Sequence, residues 1–172
     1  MTRGITAVEM LVLVAFVAVL TLVAIPHMSR GRQATDQTRV AVALVDYADA
    51  QQAFRSRDCG RRLHGEIAAG YYCPDFALLG GVHAAVVDGR ALDLLPDAMA
   101  NASRQTPYAG CFFSNDPYVT DWRAHFGLFA RPVRYDAANA VMFHIGTNRV
   151  ICVKDPGPSN ALMPVDSTWT TR

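Results

Sequence analysis

The sequence predicts an α+β protein. One long N-terminal α-helix, transmembrane in its first half and amphipathic in its second, is expected to pack on a three- to four-stranded antiparallel sheet. Three observations carry this. Ile5 to Ile25 is almost wholly apolar, apolar residues recur at helical spacing from Val40 to Phe54, and short apolar runs broken by turn residues fill 108–153. A chain of 172 residues suits one modest domain plus an extra segment, and much of its 51% hydrophobic content sits in the N-terminal block. The net charge of +1 argues against a dedicated nucleic-acid binder, which carries a strongly basic face.

The first segment reads MTRG, then ITAVEMLVLVAFVAVLTLVAIP. As a helix, Ile5 to Ile25 spans roughly 31 Å at 1.5 Å per residue, matching a hydrocarbon core of ~30 Å. A cleavable secretory signal would need a shorter apolar core and a small-residue cut site, and here Glu9 stands where that core should begin. A plain signal anchor explains the length but not Glu9, because a carboxylate in a membrane helix is costly and marks a functional position by default. A third reading accounts for more residues. Arg3-Gly4 closes a short basic leader, Thr6 and Glu9 stand second and fifth after it, and Pro26 interrupts the helix at the far end.

This start resembles the class III signal sequence of type IV pilins and type II secretion pseudopilins, over about 26 of the 172 residues. Ile5 stands where that family usually has Phe, and Ala7-Val8 are smaller than its usual Leu-Ile. The resemblance implies cleavage after Gly4 by a prepilin peptidase, N-methylation of Ile5 and a filament-assembly role for Glu9. It implies a structural subunit of a type IV pilus or pilus-like filament, assembled from the inner membrane through the N-terminal helix. The alternatives are a type II secretion pseudopilin or a simple membrane-anchored periplasmic domain. Expected partners are other copies of the chain, prepilin peptidase, an inner-membrane assembly platform and, before assembly, membrane lipid; no nucleic acid and no cofactor are expected. The expected location is the bacterial inner membrane, single-pass with the globular domain periplasmic, then the pilus or pseudopilus, up to the cell surface.

The chemistry gives Glu9 its part. Cleavage would leave a positive amine on Ile5, one helical turn from Glu9 or opposite the Glu9 of a neighbour. Two opposite charges in an apolar medium are tolerable together and expensive alone. In the precursor that amine is a peptide N–H, so cleavage would license assembly.

The organisation that follows is a leader at 1–4, a transmembrane and filament-core helix at 5–28, and a periplasmic or extracellular globular domain at 29–172. In that domain a helix is expected at 29–57, a variable loop region at 58–106, a sheet at 107–154 and a tail at 155–172. Pro26 costs a helical hydrogen bond and should kink or locally melt the helix. Beyond it, Val40, Leu44, Tyr47 and Phe54, with Ala43, Ala48 and Ala50, mark one apolar face. The helix should end near Arg57–Gly60. Short helical turns are expected at Pro74–Leu79 and Ala91–Ala102, within a stretch rich in Gly and Pro.

Strands are expected at Tyr108–Ser114, Ala124–Val133, Ala140–Gly146 and Arg149–Val153. A two-residue turn at Thr147-Asn148 would set Ile145 opposite Val150 and Phe143 opposite Cys152. Val141, Phe143, Ile145, Val150 and Cys152 would then face the core, with Met142, His144 and Ile151 outside. The tail from Asp155 to Arg172 should wrap the surface or be loose.

Cys59, Cys73, Cys111 and Cys152 are disulfide candidates, and the even count fits an oxidising compartment. Of three pairings, Cys59–Cys73 with Cys111–Cys152 is favoured. The first would close a loop of about 15 residues, worth about 3 kcal/mol, and the second would staple two strands. One or both pairs staying reduced and buried is the alternative. There is no C-x-x-C, so a thiolate metal site is disfavoured.

No H-E-x-x-H, G-x-S-x-G, P-loop or G-x-G-x-x-G occurs, so no enzyme is expected. His27, His64, His83, His125 and His144 are scattered. Ser114, Asn115, Asp116 and Asp121 form an oxygen-rich loop that reads as a plain turn before a calcium site. Arg55, Arg57, Arg61 and Arg62 crowd one helix end. Helix-dipole stabilisation explains them before contact with acidic residues of a neighbour or an acidic ligand such as DNA.

Overall fold

The computed structural model describes the backbone of residues 7–64, 70–135 and 140–171, with side chains at all of these except 22–30 and 62–64. Two compact units are present, Met1–Asp36 and Gln37–Arg172. Helix α1, Ala7–Ser56, contributes to both. Its backbone stays helical at position 26, so the expected local melting there does not occur. Proline's fixed φ near −65° is itself helical, and the loss of one hydrogen bond can be carried by the flanking turns.

In the first unit, the side chains of α1 from Ala7 to Thr21 are exposed on every side. Thr21, the one polar residue after Glu9 in that stretch, returns its hydroxyl to the carbonyl of Ala18 at 2.8 Å. Among the described residues no helix is long and apolar enough to cross a membrane. The expected transmembrane half, and with it single-pass residence in the inner membrane, is therefore not supported.

The second unit is α+β. Val40, Ala43, Leu44, Tyr47, Ala48, Ala50 and Phe54 of α1 are all buried in one core cluster. The 3.6-residue period places them on one stripe, and the sheet supplies the opposite wall through Phe113, Leu128, Ala130, Phe143 and Ile145. α1 gives way to a short helix, α2 (Cys59–His64), across Asp58, whose φ of 51° turns the chain in the left-handed region. A 3₁₀ turn at Phe76–Leu79 is capped by the Asp75 side chain, which accepts from the Ala77 N–H at 3.1 Å. A two-stranded hairpin, β1 (Val86–Val87) and β2 (Arg90–Ala91), and a single-turn helix, α3 (Asp97–Ala100), complete the connection.

The main sheet has five antiparallel strands rather than three or four. β3 (Cys111–Asn115), β4 (Gly127–Pro132), β5 (Met142–Gly146), β6 (Ile151–Lys154) and β7 (Thr170–Thr171) lie side by side in chain order. The fifth strand comes from the tail, which wraps over the sheet. Trp169 joins Phe129 and Met142 in a second, smaller cluster on the face away from the helix, with Cys152, Leu162 and Met163 against it.

The β5–β6 register differs from expectation by one residue. Ile145 pairs with Ile151, His144 with Cys152 and Phe143 with Val153. The turn is longer than two residues: the Arg149 N–H donates to the Gly146 carbonyl at 2.8 Å and Arg149 adopts φ 60°. A type I turn closed by a left-handed residue adds one position to the loop. With a side-chain period of two, that single step turns the whole of β6 over. Val150 is left in the turn and Cys152 moves to the outer face, while Ile151 and Val153 pack against the main core. Arg149 also pairs with Asp49 of α1.

Gly127 opens β4 beside Asp116, and a Cβ there would lie 2.6 Å from the Asp116 Cβ and 2.7 Å from its Oδ2. Gly127→Ala is expected to destabilise this unit by about 1–3 kcal/mol through that overlap. A lowered urea midpoint at unchanged slope would register it; an unchanged midpoint would show that Asp116 moves aside freely.

Candidate functional site

Of the expected site residues, Glu9 stands among exposed apolar side chains. On α1, Glu9, Val12, Leu13 and Phe16 follow i, i+3, i+4, i+7 spacing and share a face. With Val8 they line a shallow groove of about 370 Å³. Val8 is 72% exposed, Leu11 72% and Phe16 67%. Leu11, Val14, Val17 and Val19 carry exposed apolar surface onto other azimuths of the same helix. A helix that packed on one neighbour would need one apolar stripe; one apolar all round is suited to burial on all sides. Each large side chain so covered contributes about 1.5–3 kcal/mol. Gly4 and Ile5, the expected cleavage and methylation positions, lie outside the described residues, as do the side chains of Pro26, His27, Arg62 and His64.

The four cysteines separate into different environments. Cys59 and Cys73 are both buried in the main core cluster. Burial pushes the Cys73 thiol up to about 12, with the Asp75 carboxylate and Cys59 adding to the rise against a hydrogen bond from its Sγ to the Asp75 carbonyl at 3.1 Å. Cys111 and Cys152 do not form the expected strand staple. β3 and β6 are separated by β4 and β5. At about 4.8 Å per strand that is ~14 Å, twice the reach of a disulfide. They also lie on opposite faces, Cys111 against the main core and Cys152 against the outer cluster.

Asn115, Asp116 and Asp121 of the oxygen-rich loop are engaged in internal bonds. The Asn115 Oδ1 accepts from the Phe76 N–H at 3.0 Å and its Nδ2 donates to Asp75 at 3.1 Å. The Asp121 carboxylate accepts from the Arg123 N–H at 3.0 Å. Among the described residues no group of three or more His, Cys, Asp or Glu is placed to hold a metal. At the arginine-rich helix end, Arg55 donates to the Tyr72 hydroxyl at 2.8 Å and lies over its ring. Arg57 lines a cleft of about 650 Å³ with Asp58, Arg90 and Asp93, so the charge there is mixed rather than uniformly basic.

No protein-family model matches the sequence, and neither a curated protein nor a solved structure matches it. The reading therefore rests on the residues and their geometry.

Two groupings were not legible in the sequence. His144 is 8% exposed, and its Nε2 lies 2.9 Å from the Asp116 Oδ2. The ring packs between Phe129, at 4.6 Å, and Trp169. The Asp116 Oδ1 also accepts from the Tyr118 N–H at 2.8 Å, so this pair fastens the β3–β4 loop to β5 beneath the tail. His83 and His125 are exposed. The second grouping sets Arg104 and Arg131 around Phe112. Residues so distant in the chain carry no shared motif, and only the strand register brings them together.

Proposed function

We propose that this chain is a structural subunit of a type IV pilus or a related pilus-like filament, matured by prepilin peptidase after Gly4 and assembled through its own N-terminal helix. The observation that carries the reading is the helix surface from Val8 to Leu20, apolar on all sides and interrupted by the single carboxylate of Glu9. Copies of the same helix, packed side by side, bury such a surface from every direction. The amine released on Ile5 by cleavage supplies the cation that makes Glu9 tolerable inside the packing. The Gly4, Thr6, Glu9 and Pro26 spacing supports the same reading from the sequence. The second unit, with α1 packed on a five-stranded sheet, is then the folded body that decorates the filament.

The mature N-terminus tests this directly. Intact mass and N-terminal sequencing of the protein recovered from cells are expected to show loss of Met1–Gly4 and the gain of one methyl group on Ile5. A chain that keeps its first four residues in filaments, or forms none, overturns the reading.

A further inference from the structure

Arg131 on β4 is the register partner of Phe112 on β3, and its guanidinium carbon sits 4.6 Å from the centre of the Phe112 ring. Arg104, from the loop after α3, places its own guanidinium carbon 4.9 Å from the same centre. Two cations thus share one aromatic ring. The Arg131 Nη1 donates to the Asn160 carbonyl at 3.3 Å, and the Asn160 Nδ2 donates to the Pro132 carbonyl at 2.6 Å. That tie from the tail to β4 fixes the guanidinium in place instead of leaving it to sweep through solvent. Among the described residues neither arginine has a carboxylate within ion-pair distance. Burial, and then the nearby charge of Arg104, pulls Arg131 down from the ordinary arginine range.

Like charges brought together repel, and attraction to the ring face offsets only about 0.5–2 kcal/mol of that. Chain-internal bonds leave the arrangement short of a counter-charge, although Asp and Glu together number 15. Arg104 is exposed, so the side from which an anion would approach is open. Guanidinium groups present forked N–H donors that match the oxygens of a phosphate or carboxylate. Two of them, with a charge of two to balance, match a compact dianion better than a single carboxylate.

We propose that Arg104 and Arg131, held around Phe112, bind a dianionic tetrahedral oxyanion, either free phosphate or the phosphate of a monoester. Phe112 orders the two cations, and the Asn160 turn sets the angle of one of them. Binding adds the missing counter-charge without rearranging the sheet, and it does not depend on the filament reading.

The test is a titration of the full chain with sodium phosphate at constant ionic strength, followed by the ¹⁵Nε–H NMR signals of its arginines. Saturable shifts are expected at Arg104 and Arg131. Acetate is expected to act at about tenfold higher concentration or more, because it brings one charge to two guanidiniums. Arg104→Gln removes an exposed side chain outside the core and is expected to weaken phosphate binding about tenfold while leaving the urea midpoint unchanged. A parallel titration with glycerol phosphate assigns the source: tighter binding than inorganic phosphate points to a monoester, equal or weaker binding to the free ion. Linear, non-saturating shifts, equal response to acetate, or an unchanged phosphate affinity in Arg104→Gln each overturn the proposal. Loss of self-association in Arg104→Gln with no phosphate response would also overturn it, in favour of a protein carboxylate as the counter-charge.

Discussion

Glu9→Ala is expected to reduce incorporation into sheared filaments by about a hundredfold or more, with total protein unchanged. The argument is electrostatic. In the proposed assembly the amine of Ile5 is buried among apolar helices, and Glu9 is the acid placed to neutralise it. Removing one partner of a buried ion pair costs about 3–5 kcal/mol, because the survivor is left uncompensated. At 1.4 kcal/mol per factor of ten, this weakens each subunit addition by about two to three and a half decades. Glu9→Asp, which keeps the charge on a shorter stem, should retain part of the incorporation, whereas Glu9→Gln should lose nearly as much as alanine. Immunoblots of sheared and whole-cell fractions separate these cases. Full incorporation of the alanine variant would mean that apolar packing alone assembles the filament and that Glu9 has no part in it.

The second large effect belongs to the folded body. Gln51, 0% exposed, stands among the apolar residues of the α1 stripe. Its side-chain amide pairs with the backbone of Cys73 in both directions: Oε1 accepts from the Cys73 N–H at 2.7 Å, and Nε2 donates to the Cys73 carbonyl at 2.9 Å. Nε2 also donates to the Tyr47 hydroxyl at 2.8 Å. That hydroxyl is buried, and burial pushes its ionisation far above the ordinary tyrosine range, so it stays neutral as donor and acceptor. Gln51→Ala strands a buried N–H and a buried C=O at once, each worth about 1–3 kcal/mol, and opens a small void. The expected loss is about 3–5 kcal/mol, read as a fall in the urea midpoint by near-UV circular dichroism.

Gln51→Glu gives an internal check. The introduced carboxyl group, buried, has its pKa raised, so it is charged and repelled by the Cys73 carbonyl above that pKa and can donate to it below. This variant should therefore lie closer to the parent protein in acid than at neutral pH. Equal destabilisation of Gln51→Glu at both pH values would show that shape, and not the donor, is what Gln51 supplies.

Sequence spacing located part of this protein without help. The apolar stripe from Val40 to Phe54 follows from 3.6 residues per turn, a local rule, and it is buried as that rule requires. The main strand positions were legible to within a few residues because turn residues bracket them. Glu9 was legible because one charge in a long apolar run is conspicuous without any tertiary information. Gln51 was not: it falls within the stripe, and nothing local shows what satisfies a polar residue there until the loop carrying Cys73 is seen to meet it.

Other features depended on distances along the chain that no local pattern spans. A left-handed Arg149 lengthened one turn by a single position, and that placed Cys152 on the outer face, out of reach of Cys111. The tail, poor in apolar residues, supplied a fifth strand and a tryptophan that closes a second cluster over His144. Residues alone determined which segments are apolar, with what period, and where a solitary acid stands, because those properties arise within a turn or two of backbone. Tertiary structure decided strand register and the partners of Asp116, His144, Arg104 and Arg131. Each of these depends on which distant surfaces meet, and a one-residue step in a single turn is enough to change it.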